Sequence, residues 1–462
     1  MPRSACVHPE NRQAVASALA RNGFLTQGDL AAHLEIALST VSNFFRGVNV
    51  SIAKFEEISE ALDLEAKSLI QPQSPVIPIG KEETLPAPFY AYDDGWVGRE
   101  TVTAEAVTQL TGSCRLLIIT GIAGVGKTAL AERLSLALSD FGTPLRENFD
   151  AQDHTPDFGS FAARLLEKLG QAVTPSDRAD TPQLLARLTQ GLQTTRRLLL
   201  IDSFEELLQG DEQAGWSEFK DEAFLQFFQL ILAAETFQSR IIITSQELPT
   251  QLLALGTRYR NFWATQLLTG LSDTEQLALF AKTGLDVNPA AAGYGYLTRM
   301  GQAYEGHPLA LRIIAGEIGS RPFFGNVVNY WQRYRHEIEA VEAAIAAAEA
   351  GEAIGAEDKW RLDRFTRTLR RNVRLRLEQT FQRLRQDTKF AYILLCEASV
   401  YRCAVPEDWW LSHLAYWDCE EDARLLALDA LRDRFLVEDA IADGQYTLRQ
   451  HNAVGVIHRL YI

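Results

Sequence analysis

One segment constrains this chain more than any other: Leu116-Leu-Ile-Ile-Thr-Gly121-Ile-Ala-Gly124-Val125-Gly126-Lys127-Thr128-Ala129-Leu. It fits G-x-x-x-x-G-K-[ST], with a buried-strand run before it and a helix pattern after it, the setting in which that pattern forms a phosphate loop. Gly121, Gly124 and Gly126 let backbone N–H groups curl around an anion without Cβ clashes, with Val125 inside the same turn. The helix starting near Lys127, with Ala129 in its first turn, aims its positive end at the same point. Lys127 adds a point charge for β- and γ-phosphates, and the Thr128 hydroxyl is a ligand for Mg²⁺.

A second element stands 75 residues downstream, Arg196-Arg-Leu-Leu-Leu-Ile-Asp202-Ser203-Phe204-Glu205. Four apolar residues end in Asp202 at the carboxyl end of a strand, where α/β folds bind ligands. Asp202 would hold Mg²⁺ through water. Hydrolysis also needs a group to orient water. Ser203 has no carboxylate, so Glu205 is the candidate base; the alternative is a solvated helix-start residue favouring the macrodipole.

Strand and helix patterns alternate around these elements. Leu116–Thr120, Leu198–Asp202 and Ile241–Ser245 read as strands buried on both faces, with helices such as Thr128–Leu138 and Phe224–Ala234 between them. That alternation predicts a parallel sheet covered by helices, over residues 96–270. Residues 1–70 carry helical periodicity, and 71–95 hold a Pro-rich linker with five of the chain's 16 prolines. Residues 271–370 read as a helical domain, and 371–462 as helices ending in a ribbon, Phe435–Glu438 with Gln445–Leu448, which suggests a winged helix. Residues 337–352 carry five Glu and no Lys or Arg, while 359–385 carry ten Lys+Arg and two acids; these read as solvated helix faces set against each other, with anion binding by the second block as the alternative.

Composition then narrows the class. A net charge of −15 over 462 residues argues against a large nucleic-acid surface. No apolar run reaches the ~18–20 residues of a membrane span. MPRSACVHPENRQ has no apolar core, so no signal peptide is expected. Five scattered cysteines without C-x-x-C read as reduced thiols of a cytoplasmic protein.

Further motifs follow in order: Trp96-Val97-Gly98-Arg99-Glu100, Arg240-Ile-Ile-Ile-Thr244-Ser245-Gln246, Gly306-His307-Pro308-Leu309-Ala310-Leu311 and Gln450-His451-Asn452. Together with the phosphate loop they resemble the NB-ARC class of STAND ATPases over residues 96–462. The resemblance implies an α/β P-loop NTPase domain followed by helical and winged-helix domains. It implies a slow ATPase that works as an ADP/ATP switch with Mg²⁺ and forms a homo-oligomer when activated. Val97 and Arg99 would contact the adenine side, Pro308 would pack on the base, and Gln246 would stand where a γ-phosphate sensor is expected. His451 would reach the β-phosphate of ADP and hold the closed state. Three departures stand out. Gln246 replaces an Arg, and Asn452 replaces the Asp of a Met-His-Asp motif. The repeats that sense a ligand in family members are not in the sequence, which implies a fragment or a sensing partner.

Thr26–His33 and Leu38–Gly47 resemble a helix-turn-helix of the Cro/repressor type. Thr26 would cap its first helix, and Ser39, Thr40, Ser42 and Asn43 would face outward on the second. Residues 1–70 hold six Lys+Arg against eight Asp+Glu, a thin footprint for DNA. The segment also resembles the N-terminal module of vWA-MoxR-associated proteins, which implies a protein adaptor. DNA and protein partners both stay open, as does a catalytically silent scaffold in place of a switch or a DNA-binding regulator.

Overall fold

The computed structural model describes residues 4–8, 11–24, 26–70, 96–149, 157–178, 180–211, 216–350, 364–401, 403–442 and 445–450. The Pro-rich linker, His451 and Asn452 lie outside them.

The N-terminal unit contains β1 (Ser4–Ala5) paired with β2 (Val50–Ser51), and helices α1 (Arg12–Arg21), α2 (Gln27–Leu34), α3 (Leu38–Arg46) and α4 (Ile52–Ala61). Thr26 caps α2 as its position predicts: its hydroxyl accepts from Asp29 N at 3.1 Å while Asp29 Oδ2 accepts from Thr26 N at 2.8 Å. Glu35, at φ 55°, turns the chain sharply into α3. Leu30, Ala31, Val41, Phe44, Phe55, Ile58 and Leu62 are fully buried between the helices.

The central sheet has five strands: β3 (Leu116–Thr120), β4 (Leu145–Asn148), β5 (Leu198–Asp202), β8 (Arg240–Ser245) and β9 (Trp263–Leu267). A small hairpin, β6 (Leu208–Asp211) and β7 (Trp216–Phe219), branches off after β5. The order is β4-β5-β8-β3-β9 and every pairing is parallel. The three strands expected from their apolar runs are present. β4 and β9 were missed because their patterns mix Arg, Glu and Gln with apolar residues. Both are edge strands, where one side is not covered by the sheet.

The order sets β8 between the phosphate-loop strand and the strand ending in Asp202. Three polar strand ends therefore meet at one rim.

Helices follow from Asp273 onward, then the antiparallel ribbon β10 (Val437–Ala442) and β11 (Gln445–Gln450). Helix Arg364–Asp387 runs continuously across residues 370 and 371, the expected domain boundary. The two charge blocks do face each other, but their meeting point is buried rather than solvated. Arg376, 1% exposed, pairs with Glu317 and, at 2.9 Å, with Glu337, and Arg383 pairs with both acids. Thr380 and Tyr330 hydroxyls donate to Glu317 at 2.7 and 2.8 Å. Such charges persist in a core only when each has its partners.

Helix Pro308–Gly319 is the hub of this half. Gly316 lies against the backbone of Asp433 and Arg434, where a Cβ would stand 2.6 Å from Asp433 O. Gly319 lies against Leu38 of α3, and Gly284 against Ser42.

The outward-facing reading of α3 is corrected here. Ser39 and Ser42 are 6% and 5% exposed, because α3 packs onto this hub. The Ser39 and Thr40 hydroxyls donate to Asp433 Oδ1 at 2.9 and 2.8 Å, and Arg321 pairs with Glu35. Short polar residues, read as a binding face, instead bond a half-buried carboxylate of the same chain.

Candidate nucleotide site

The phosphate loop is shaped by its glycines where the geometry requires them. Gly124 and Gly126 have φ of 81° and 98°, a left-handed region costly to other residues. A Cβ on Gly124 would stand 2.8 Å from Leu309 and 2.9 Å from His307. The loop is thus pressed directly against the start of helix Pro308–Gly319.

Lys127 Nζ lies inside the loop, donating to Gly121 O at 2.8 Å and Ile122 O at 3.1 Å. Burial lowers its pKa, against the pull of Glu205 and Asp202; Arg370 lowers it further. Thr128 Oγ1 donates to the Asp202 carboxylate at 3.0 and 3.1 Å. Thr244, from β8, also bonds Asp202. Burial raises the Asp202 pKa, while the Thr244 and Thr128 hydroxyls oppose it. A hydroxyl and a carboxylate at a helix N-terminus are hard oxygen donors that fit Mg²⁺, which keeps most of its waters. Among the described residues no cluster of three or more His, Cys, Asp or Glu could hold a metal ion.

Beyond Asp202 the chain turns at Ser203, whose φ is 57°, and sets Glu205 at the same rim. Gln246 Nε2 donates to Glu205 Oε1 at 2.8 Å, and Gln246 N to Oε2 at 3.2 Å. The site residue expected to sense phosphate therefore holds the candidate base.

The Val97–Arg99 element forms another wall. Arg99 N donates to Glu275 Oε1 at 2.7 Å, and its guanidinium to Val125 O at 3.0 Å and Thr269 O at 2.9 Å. Val97, Arg99, Gly124, Val125, Gly126, Lys127, Thr128, Ala129, Asp202, Glu205, Gln246 and Pro308 line a single cavity. Gly121 stands behind it, accepting from Lys127. His451 lies outside the described residues.

Sequence reading missed five residues here. Thr244 carries no role in its motif, yet its hydroxyl bonds Asp202. His307, fully buried beside Pro308, supports the loop from behind the cavity. Its Nε2 donates to Ala123 O at 3.0 Å, and its Nδ1 caps the helix by accepting from Ala310 N at 3.3 Å. Arg312, Glu438 and Arg449 reach the cavity from distant parts of the chain, which only tertiary structure shows.

Residues 110–252 match the family model described as an AAA domain. With the sheet order and the Lys127, Thr128 and Asp202 geometry, this decides the fold of the central part. It is a P-loop NTPase domain. An uncharacterised WD repeat-containing protein of Nostoc sp. is 28% identical over 228 residues, 47% of this chain but only 17% of that relative. Solved structures overlay loosely. Cdc6p from Pyrobaculum aerophilum gives a TM-score of 0.30 at 12% identity, over 81% of this chain and 99% of that one. A DNA replication initiation factor gives 0.31 at 14%, over 61% and 76%. A HORMA:CdnC:Trip13 complex of E. coli MS115-1 gives 0.30 at 16%, over 46% and 78%. The assignment rests on the loop and the sheet, not on these overlays. Among the described residues no helix is long and apolar enough to cross a membrane.

Burial holds the His307 pKa down at about 4, so the ring is neutral in the fold. The unfolded chain, with an ordinary His near pH 6.5, takes up the proton first as pH falls. Stability from His307 is therefore complete above about pH 6.5 and is lost between there and about pH 4. About 2 kcal/mol should disappear between pH 7 and pH 5 by this linkage. His307→Asn keeps a capping side chain without the titration. Denaturant unfolding at both pH values should show a smaller pH-dependent loss in the variant; equal losses would exclude His307 as the source.

Proposed function

We propose that this chain is a signal-transduction ATPase of the STAND type, an ADP/ATP conformational switch that controls assembly. The observation carrying this reading is the make-up of the cavity wall. The loop residues Gly124–Ala129, the start of helix Pro308–Gly319 and the ribbon residues Glu438 and Arg449 line one space. A nucleotide there touches three parts of the chain at once, so its identity can bias how they sit together.

Lys127 and the loop N–H groups bind the phosphates, with Thr128 and Asp202 as the residues that would hold Mg²⁺. Mg²⁺ held there would supply charge neutralisation at the phosphates. Glu205 accepts a proton from the attacking water, and Gln246 fixes its carboxylate in place. Val97, Arg99 and Pro308 form the base side. His451 belongs to this reading as the residue implied to hold ADP.

Glu205→Gln should lower ATP turnover about 100-fold or more while ADP affinity changes little, read by phosphate release and calorimetry. Unchanged turnover would remove Glu205 as the base and favour a silent scaffold.

The N-terminal unit fits a helix-turn-helix by its capped α2, tight turn and α3. Its α3 is packed against the hub, which favours a protein-facing or sequestered role over DNA reading in this arrangement. The WD repeats of the Nostoc relative are consistent with a switch domain placed beside a sensing array. A cytoplasmic site and a defence or stress setting belong to this reading.

A further inference from the structure

We propose that Arg449, on the C-terminal ribbon, is a phosphate ligand of the nucleotide cavity, positioned by Glu438 and supported by Arg312. The proposal rests on the nucleotide reading above, and it assigns the ribbon's contact to a residue within the described strands.

Glu438 and Arg449 are direct cross-strand partners on β10 and β11. Arg449 Nε and Nη2 both lie 3.0 Å from Glu438 Oε2. Such a pair fixes the guanidinium against the sheet. Arg312, in the first turn and a half of helix Pro308–Gly319, lies over the Phe435 ring at 4.8 Å. All four residues line the same cavity as Lys127 and Thr128.

Charge decides what this wall suits. The acids on the opposite rim are already engaged: Asp202 by Thr128 and Thr244, Glu205 by Gln246. Among the described residues lining the cavity, the ribbon side brings two guanidinium groups, Arg312 and Arg449, and one carboxylate, Glu438. Burial lowers the pKa of Arg449 to about 10 and that of Arg312 in the same direction, while the Arg449 side chain keeps 32% of its surface accessible. A multiply charged anion between this wall and the phosphate loop meets cations on both sides. Guanidinium suits it because its fork can bond carboxylate and phosphate together. The ligand class is the diphosphate portion shared by nucleoside di- and triphosphates.

The test uses calorimetric titration of the full chain with Mg·ADP and a non-hydrolysable ATP analogue. Arg449→Ala should weaken both about 10- to 100-fold, the range of a charge-assisted bond. Arg449→Lys keeps the charge and the Glu438 pair, so it should fold normally and still lose several-fold. Glu438→Gln should lose less than Arg449→Ala, and the double variant should lose no more than Arg449→Ala alone, with matching melting temperatures. If Arg449→Ala and Arg449→Lys both bind within twofold of the parent, Arg449 is no ligand. Lys127→Ala in the same titration separates the two ideas. If it also binds normally, the nucleotide reading itself has failed.

Discussion

Lys127→Ala should weaken ATP and ADP binding at least about 100-fold. The ammonium sits within the loop, bonded to the Gly121 and Ile122 carbonyls 2.8 and 3.1 Å away. Holding a buried ammonium there is costly, and burial already pulls its pKa down. A phosphate repays that cost with a short charge-assisted bond, and each ~1.4 kcal/mol lost is a factor of ten in affinity. Fluorescent-nucleotide titration at fixed salt measures it. The fold should survive, because alanine is a strong helix former and Lys127 is the first helical residue. Affinity within threefold of the parent would mean that nucleotide, if bound, sits elsewhere.

Ser39→Arg should release the N-terminal unit from the hub. Ser39 is 6% exposed and its hydroxyl bonds Asp433, so an arginine has neither room nor water at that place. Losing the bond and overfilling the contact should cost about 2–4 kcal/mol of docking. Asp433 itself is pushed towards its neutral form by burial, with Thr40 and Ser39 hydroxyls opposing. Undocking therefore leaves α3 accessible without burying a new charge in the hub. Proteolysis between residues 70 and 96 should become at least about tenfold faster, with α1–α4 remaining as a resistant fragment. An unchanged cleavage rate would show that the N-terminal unit is already released in solution. A salt-dependent DNA shift in the variant but not the parent would then favour the DNA-reading partner over the adaptor.

The parts legible in the sequence were those whose chemistry is local. The loop from Gly121 to Thr128 carries its glycines, lysine and hydroxyl within eight residues, so its shape followed from spacing alone. Asp202 was legible because four apolar residues precede it. The capping role of Thr26 needed only Asp29 three residues on. What escaped was long-range. Ser39 and Thr40 look like a polar surface until Asp433, nearly four hundred residues away, is brought to them. Gln246 looks like a weakened sensor until Glu205 is seen within 2.8 Å of its amide. His307 looks like the neighbour of a more useful proline until its ring is found against Ala123. Arg449 had no motif at all. The acidic and basic blocks were rightly set against each other, but composition could not reveal that Glu317 would join them as a buried partner.

The account's central claim is that a nucleotide joins the phosphate loop, helix Pro308–Gly319 and the ribbon. The direct test is to denature the purified protein, identify any released nucleotide by chromatography, then add Mg·ADP to stripped protein and follow its melting temperature. The account predicts near-stoichiometric ADP on release and a melting temperature that rises with added ADP in proportion to ligand binding. No released nucleotide, together with no shift at millimolar Mg·ADP or Mg·ATP, would contradict it.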